Sequence, residues 1–290
     1  MPLPWAAGQL DLQYIATAPG GTHYLGTDPY GRDVLAELLA GAFGILTISL
    51  PAALLATTIG VALGIGAGFW GNHGVRHQLT DWLSLAIPFC AWLVTGSVVP
   101  TAVAAAVGGG SCWVARQIGT QLRVSLPLAD AVVALMLLLN SVPRMILLLA
   151  ISSVWVQGPL SLIILLALTG WPGTARIARA EALRTVSLPF VESARAVGLS
   201  NWRILIKHIL LPAWPVLRSL FPLNLSLCLT LQTTLSFLGL GVSVDTADWG
   251  RLLASSRLEP GAWWLIAFPG GVLAATILAL RFGFASPPNR

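Results

Sequence analysis

Three cysteines, four histidines and one lysine carry most of the reactive chemistry available to this chain, and their spacing rules out most of it. Cys90, Cys112 and Cys228 stand too far apart for metal-ligand spacing and suit small apolar fillers of helices. His23, His73, His77 and His208 include no H-E-x-x-H pair, so no zinc-hydrolase helix is written here. His73 and His77 share a helical spacing beside a membrane end, and a solvated flank explains them better than a metal. Lys207 follows Ile206, so no G-x-x-x-x-G-K-[ST] phosphate loop exists. If nucleotide energy is used, another subunit must bind the nucleotide. No catalytic residue, cofactor site or metal centre is expected.

The chain that carries these residues has 290 residues, and only 9% are charged, against about 25% in soluble domains. Hydrophobic residues make up 56%, and the mean hydropathy is +0.81. So few polar groups cannot cover a soluble fold, and the same numbers exclude disorder. A pI near 9.7 without a basic face does not make a nucleic-acid binder. The protein belongs in a lipid bilayer.

A spanning helix needs about 20 mostly apolar residues. Nothing before residue 43 qualifies, and Met1–Leu12 lacks the basic and apolar regions of a signal peptide, so the start reads as a polar arm. Apolar stretches run over Gly44–Trp70, Trp82–Val107, Ala131–Val156, Leu160–Ala175, Ile209–Gly241 and Ala262–Leu280. They are too long for barrel strands. The expected fold is an all-α membrane bundle of about five to six transmembrane helices. Gly60, Gly64 and Gly68 recur every fourth residue in the first span, which lets a neighbouring helix approach closely.

Basic residues orient the chain. Arg176, Arg179, Arg184, Arg195, Arg203 and Lys207 are opposed only by Glu181 and Glu192, so residues 176–208 form a cytoplasmic loop. Asp245, Asp248 and Glu259 then suit the outer face, and the C-terminus the inside. Residues 82–107 leave the parity open. A full crossing puts His23–Glu37 inside, and a re-entrant hairpin puts them outside. Gly96 and Pro100 permit a broken helix, and Asp11, Asp28, Asp33 and Glu37 favour the outside for the arm. Arg76 pulls mildly the other way. The hairpin is the reading adopted.

Within the loop, Glu192 to Ala196 favours helix, Gly198 breaks it, and Ser200 is placed to cap a second short helix. Pro212 marks the start of the next span. The expectation is a rigid elbow lying along the membrane. Asn224, Gln232 and Arg144 are polar at membrane depth, so they either line a solute path or hydrogen-bond between helices. Arg218 lies near the cytoplasmic end and is expected to snorkel.

Glu192-Ser193-Ala194, Gly198, and Ile209, Leu211 and Pro212 resemble the E-A-A…G…I-x-L-P loop of ABC-type importer permeases. His23-Tyr24-Leu25-Gly26-Thr27-Asp28-Pro29-Tyr30-Gly31-Arg32-Asp33-Val34 resembles the H-x-L-G-T-D-x-x-G-R-D-V block of the C-type permease subunits of dipeptide, oligopeptide and nickel importers. Leu235 to Gly241, with Trp249-Gly250, resembles the same subunits' L-S-F-L-G-L-G and W-G. Family block residues are therefore Gly26, Thr27, Asp28, Gly31, Arg32 and Asp33.

The resemblance implies a type I ABC importer permease in a bacterial inner membrane, forming half of the path for peptides, nickel or metal chelates. It implies a second, B-type permease subunit, two ABC ATPase subunits docked on the elbows, and an extracytoplasmic solute-binding protein. The expected organisation is an arm (1–42), a membrane domain (43–283) with an atypical insertion (74–125) and the coupling loop (176–208), and a tail (284–290). Departures are Ser193 for the central alanine, one extra residue between Gly198 and Pro212, Gln232 where a glutamate is common, and no span before the G-T-D block. A secondary transporter or channel, or an inactive permease-like scaffold, is the alternative. No convincing repeat supports the former, and co-purified partners decide both.

Overall fold

The computed structural model describes residues 6–71, 128–154, 158–241 and 247–283. The stretch at 82–107, the whole insertion, His73, His77, Cys90, Cys112 and the tail lie outside them. The chain divides into two compact units, one of Met1–Ile65 with Met136–Arg290 and one of Gly66–Leu135. In the second, the described residues are the end of one helix, where Phe69 and Trp70 meet edge to face at 5.3 Å, and the start of another. Among the described residues the regular structure is helical, with isolated bridges at Leu10–Arg32 and Thr27–Asp33 in the arm.

Helix α1 (Val34–Gly44), a π-helical turn (Ile45–Ser49) and α2 (Leu50–Trp70) make one apolar run of 37 residues. It begins well ahead of the expected Gly44, because Asp33 caps it by accepting the Ala36 N–H at 3.3 Å. Glu37 is tolerated in its first turns because its carboxylate accepts the Gly8 N–H at 2.8 Å and lies 3.8 Å from Arg251.

Helices α3 (Leu128–Ser141) and α4 (Arg144–Val154) meet at a bend of 84°, where a single continuous span was expected. Pro143 explains the break, since it lacks an N–H and disfavours helical geometry at Val142. Helix α5 (Pro159–Val186) continues past Ala175, so the start of the expected loop is helical. Arg176, Arg179, Glu181 and Arg184 are good helix formers, and Arg184 pairs with Glu181 at 2.6 Å. Hydropathy marks the edge of the bilayer there, and the helix runs beyond it.

Helix α6 (Pro189–Ala196) precedes α7 (Asn201–Ile204), which passes through a π-helical turn (Leu205–Leu210) into α8 (Leu211–Phe237). The second limb of the elbow is thus the root of a 37-residue helix, Asn201–Phe237, and not a separate helix. Each π turn ends two residues before a proline, Pro51 and Pro212. The widened turn relieves the clash of each ring with the carbonyl four residues back. Helices α9 (Trp249–Ser255) and α10 (Trp264–Gly283) complete the described residues. Among the described residues, four helices are long and apolar enough to cross a membrane, or five if the bent pair is one span.

Ala52, Leu148, Leu166, Cys228 and Leu235 join α2, α4, α5 and α8 in one core. Val34, Leu38, Trp249, Leu252 and Leu265 join α1, α9 and α10 in another. Lipid is as apolar as leucine, so close packing rather than water exclusion holds such helices. Gly60 shows it: a Cβ there would lie 2.6 Å from the Cβ of Thr174 on α5.

Candidate functional site

The elbow is built on α6. Val191 and Ala194 are buried and anchor it, while Glu192, Ser193, Arg195 and Ala196 are exposed and Val197 is 81% exposed. Gly198 takes φ +80°, which a side chain disfavours. Its N–H donates to the Arg195 carbonyl at 2.9 Å and the Leu199 N–H to the Ala194 carbonyl at 3.2 Å, the paired bonds of a Schellman stop. Ser200 occupies the cap position of α7, but its hydroxyl does not cap it; the Ser200 carbonyl starts the helix by accepting the Ile204 N–H at 3.0 Å. Ile204, Leu205 and Ile209 are buried, and Leu211 and Pro212 are exposed. Phe190 and His208 face each other at 6.1 Å, tying α6 to the root of α8.

Helices α5 and α8, which the elbow joins, form the walls of a cavity of about 450 Å³. Its polar lining includes Arg144, Thr174, Asn224, Ser226, Thr230 and Arg281. Asn224 Nδ2 donates to Thr174 Oγ1 at 2.6 Å and to Thr57 Oγ1 at 2.9 Å, so one amide binds α8 to both α5 and α2. Two of the three expected path residues, Arg144 and Asn224, therefore share this cavity. Gln232 does not line it. It is buried, its Oε1 accepts the Ser49 hydroxyl at 2.6 Å, and its Nε2 donates to Asp248 Oδ2 at 3.3 Å. Thr174 and Arg281 were missed in the sequence because a threonine in a helix and an arginine at a helix end are commonplace. Only the fold brings them beside Asn224.

The G-T-D block is a compact turn seated on the last two helices. Asp28 Oδ1 accepts the N–H groups of Tyr30 at 2.9 Å and Arg32 at 2.8 Å, an Asx-type loop. Burial pushes the Asp28 carboxyl above its ordinary 3.8, against those two bonds and the nearby Arg32 and Arg251 charges. Gly26 takes φ +79°, and a Cβ there would sit 3.0 Å from Trp264 Nε1. That indole N–H donates to the Thr27 carbonyl at 3.1 Å. The Trp249 indole likewise donates to the Leu38 carbonyl at 2.8 Å. His23 is buried between Asp33 at 3.4 Å and Asp11 at 3.7 Å. Gly31 completes the turn at φ +80°. At the end of α8, Gly239 repeats the Schellman stop, which explains the L-S-F-L-G-L-G run.

The sequence profile of binding-protein-dependent transport system inner membrane components matches residues 111–286. A Brucella suis biovar 1 protein that carries a peptide permease name is 28% identical over 286 residues, covering 97% of this chain and 76% of that protein. A second Brucella suis biovar 1 protein, named for a peptide transport system permease, is 30% identical over 264 residues, covering 91% of this chain and 71% of that protein. An Escherichia coli (strain K12) protein named for D,D-dipeptide transport system permease is 25% identical over 287 residues, with coverage of 97% and 76%. A multi-pass helical bundle, an elbow between two of its longest helices and these matches agree. The chain belongs to the family of inner membrane components of binding-protein-dependent transport systems and is a transmembrane permease subunit of a bacterial ABC importer.

Proposed function

We propose that this subunit forms half of a translocation path for short peptides and catalyses no reaction itself. Its relatives' names favour peptides over nickel or metal chelates. A B-type permease subunit supplies the other half, two ABC ATPase subunits hydrolyse ATP beneath, and an extracytoplasmic binding protein delivers the solute.

The observation that carries this reading is that α5 and α8, which supply most of the lining of the 450 Å³ cavity, are the two helices joined by the elbow. Glu192, Ser193 and Gly198 present the exposed edge to an ATPase groove. Ala194 and Ile209 fix that edge to the bundle, and Leu211 and Pro212 set the root of α8. Closure of the ATPases pushes on α6, and the push reaches the cavity walls as rigid-body rocking. Turning a 1:99 preference into 99:1 takes about 5.5 kcal/mol, so the linkage must be stiff. The double hydrogen bond of Asn224 and the Schellman stop at Gly198 both stiffen it. Arg144 and Asn224 line the path, and Gln232 braces the bundle near its outer end.

Affinity purification of the full complex tests this reading. The expected result is one copy of a second permease with two ATPase subunits, and ATP-dependent uptake of dipeptide into vesicles containing the complex. Uptake by the permease subunits without ATPases would instead establish a secondary transporter or channel, and an assembled complex without uptake an inactive scaffold.

A further inference from the structure

A second cavity lies at the far end of the bundle from the elbow. Helix α8 separates the two ends by about 40 Å at 1.5 Å per residue. With the basic elbow on the cytoplasmic side, this end faces outward. The cavity has a volume of about 350 Å³, and its lining includes Asp28, Tyr30, Arg32, Glu37, Arg251 and Arg257. The arm, α1 and the α9 region thus enclose three guanidinium groups with two carboxylates.

Both carboxylates are already engaged. Asp28 holds the Tyr30 and Arg32 backbone N–H groups, and Glu37 holds the Gly8 N–H and lies 3.8 Å from Arg251. Arg32 and Arg257 form no ion pair among the described residues. Each lies over an aromatic face instead, Arg32 at 5.5 Å from the Tyr30 ring and Arg257 at 3.9 Å from the Phe237 ring. Arg32 Nε is buried and has no hydrogen-bond partner, a costly state for a charged donor.

Stacking uses the face of a guanidinium and leaves its in-plane N–H groups at the edge. Those edges match the two oxygens of a carboxylate. The volume suits a small group entering whole. We propose that this cavity is an outer binding site for the free carboxylate of the transported solute, gripped by the edges of Arg32 and Arg257 with Arg251 alongside. The G-T-D block thereby gains a role: its Asx loop aims Arg32 into the cavity lining while holding Asp28 on backbone N–H groups. This inference rests on the peptide reading above, but it needs neither ATP nor the elbow.

The test is equilibrium binding of glycylglycine and of glycylglycinamide to the purified full complex in lipid discs, without ATP or binding protein. Glycylglycine should bind about tenfold more tightly than its amide, as expected for loss of a charge-assisted pair. Arg257→Gln, at an exposed residue, should weaken glycylglycine binding by a similar factor and leave the amide unchanged. Asp28→Asn keeps the Oδ1 acceptor for both backbone N–H groups and removes a negative charge, so it should tighten glycylglycine binding several-fold. Equal binding of acid and amide, or wild-type glycylglycine binding by both variants, overturns the proposal. Failure of ATP-driven uptake with intact glycylglycine binding would count against the coupling account alone.

Discussion

Asn224 on α8 donates its amide to the Thr174 hydroxyl on α5 at 2.6 Å, beside the cavity that those two helices line together with Arg144 on α4 and Arg281 on α10. The same nitrogen reaches Thr57 on α2 at 2.9 Å. A single polar side chain thus ties α2, α5 and α8 together and also lines the cavity.

Asn224→Ala removes two interhelical hydrogen bonds. Such bonds average about 0.6 kcal/mol in membrane bundles, so the loss should be about 1 kcal/mol. A thermal unfolding series of the purified complex in detergent should show a modest drop for this variant. The double variant with Thr174→Ala should drop less than the sum of the single changes, because the two residues share one bond.

Gly60→Leu should be more damaging. Even a Cβ at Gly60 would approach Thr174 Cβ to 2.6 Å, and the backbone of α5 cannot yield as a side-chain tip could. Overpacking costs about 1–3 kcal/mol. Reduced yield of assembled complex together with a lower unfolding temperature is the expected outcome, with Gly60→Ala intermediate.

Gln232→Glu restores the residue common at this position in the resembling subunits, and it should destabilise this one. The new carboxylate would face Asp248 Oδ2, which now receives the Gln232 amide at 3.3 Å. Two carboxylates at that separation repel. The penalty should be present at neutral pH and relieved in acid, where protonation removes one of the charges. Adding Asp248→Asn should restore wild-type stability at neutral pH.

Asp28 makes an opposite use of acid. Burial raises its carboxyl above 3.8, so its contribution to stability is full below that ordinary value and is lost as pH rises through the raised one. Asp28→Asn retains the acceptor and has no proton to lose. Stability profiles from acid to neutral pH should therefore converge at low pH, with the wild type falling below the variant as pH increases.

Much of the coupling region was legible in the sequence because it is local. Glu192 to Gly198 spells a short helix with its stop. The outer end was not legible. The Trp264 indole holds the Thr27 carbonyl across 237 positions, and Trp249 holds Leu38 across 211. No periodicity announces such pairings, so the arm read only as polar, and five of its polar side chains, His23, Thr27, Asp28, Asp33 and Glu37, are buried. The elbow's limits were misplaced for another reason. Hydropathy senses lipid, and α5 and the root of α8 continue as helices past the lipid edge.

ATP-driven dipeptide uptake by Gly198→Trp in vesicles containing the whole complex tests the coupling account most directly. Gly198 sits at φ +80° with open space around its missing Cβ. The change therefore strains the elbow by about 1–2 kcal/mol and puts bulk on its docking edge without a clash inside the subunit. The variant should insert, assemble with its partners and bind glycylglycine as the wild type does, yet fail to take up dipeptide when ATP is supplied. Wild-type uptake by an assembled Gly198→Trp complex would contradict the claim that the elbow carries the ATPase stroke to the cavity.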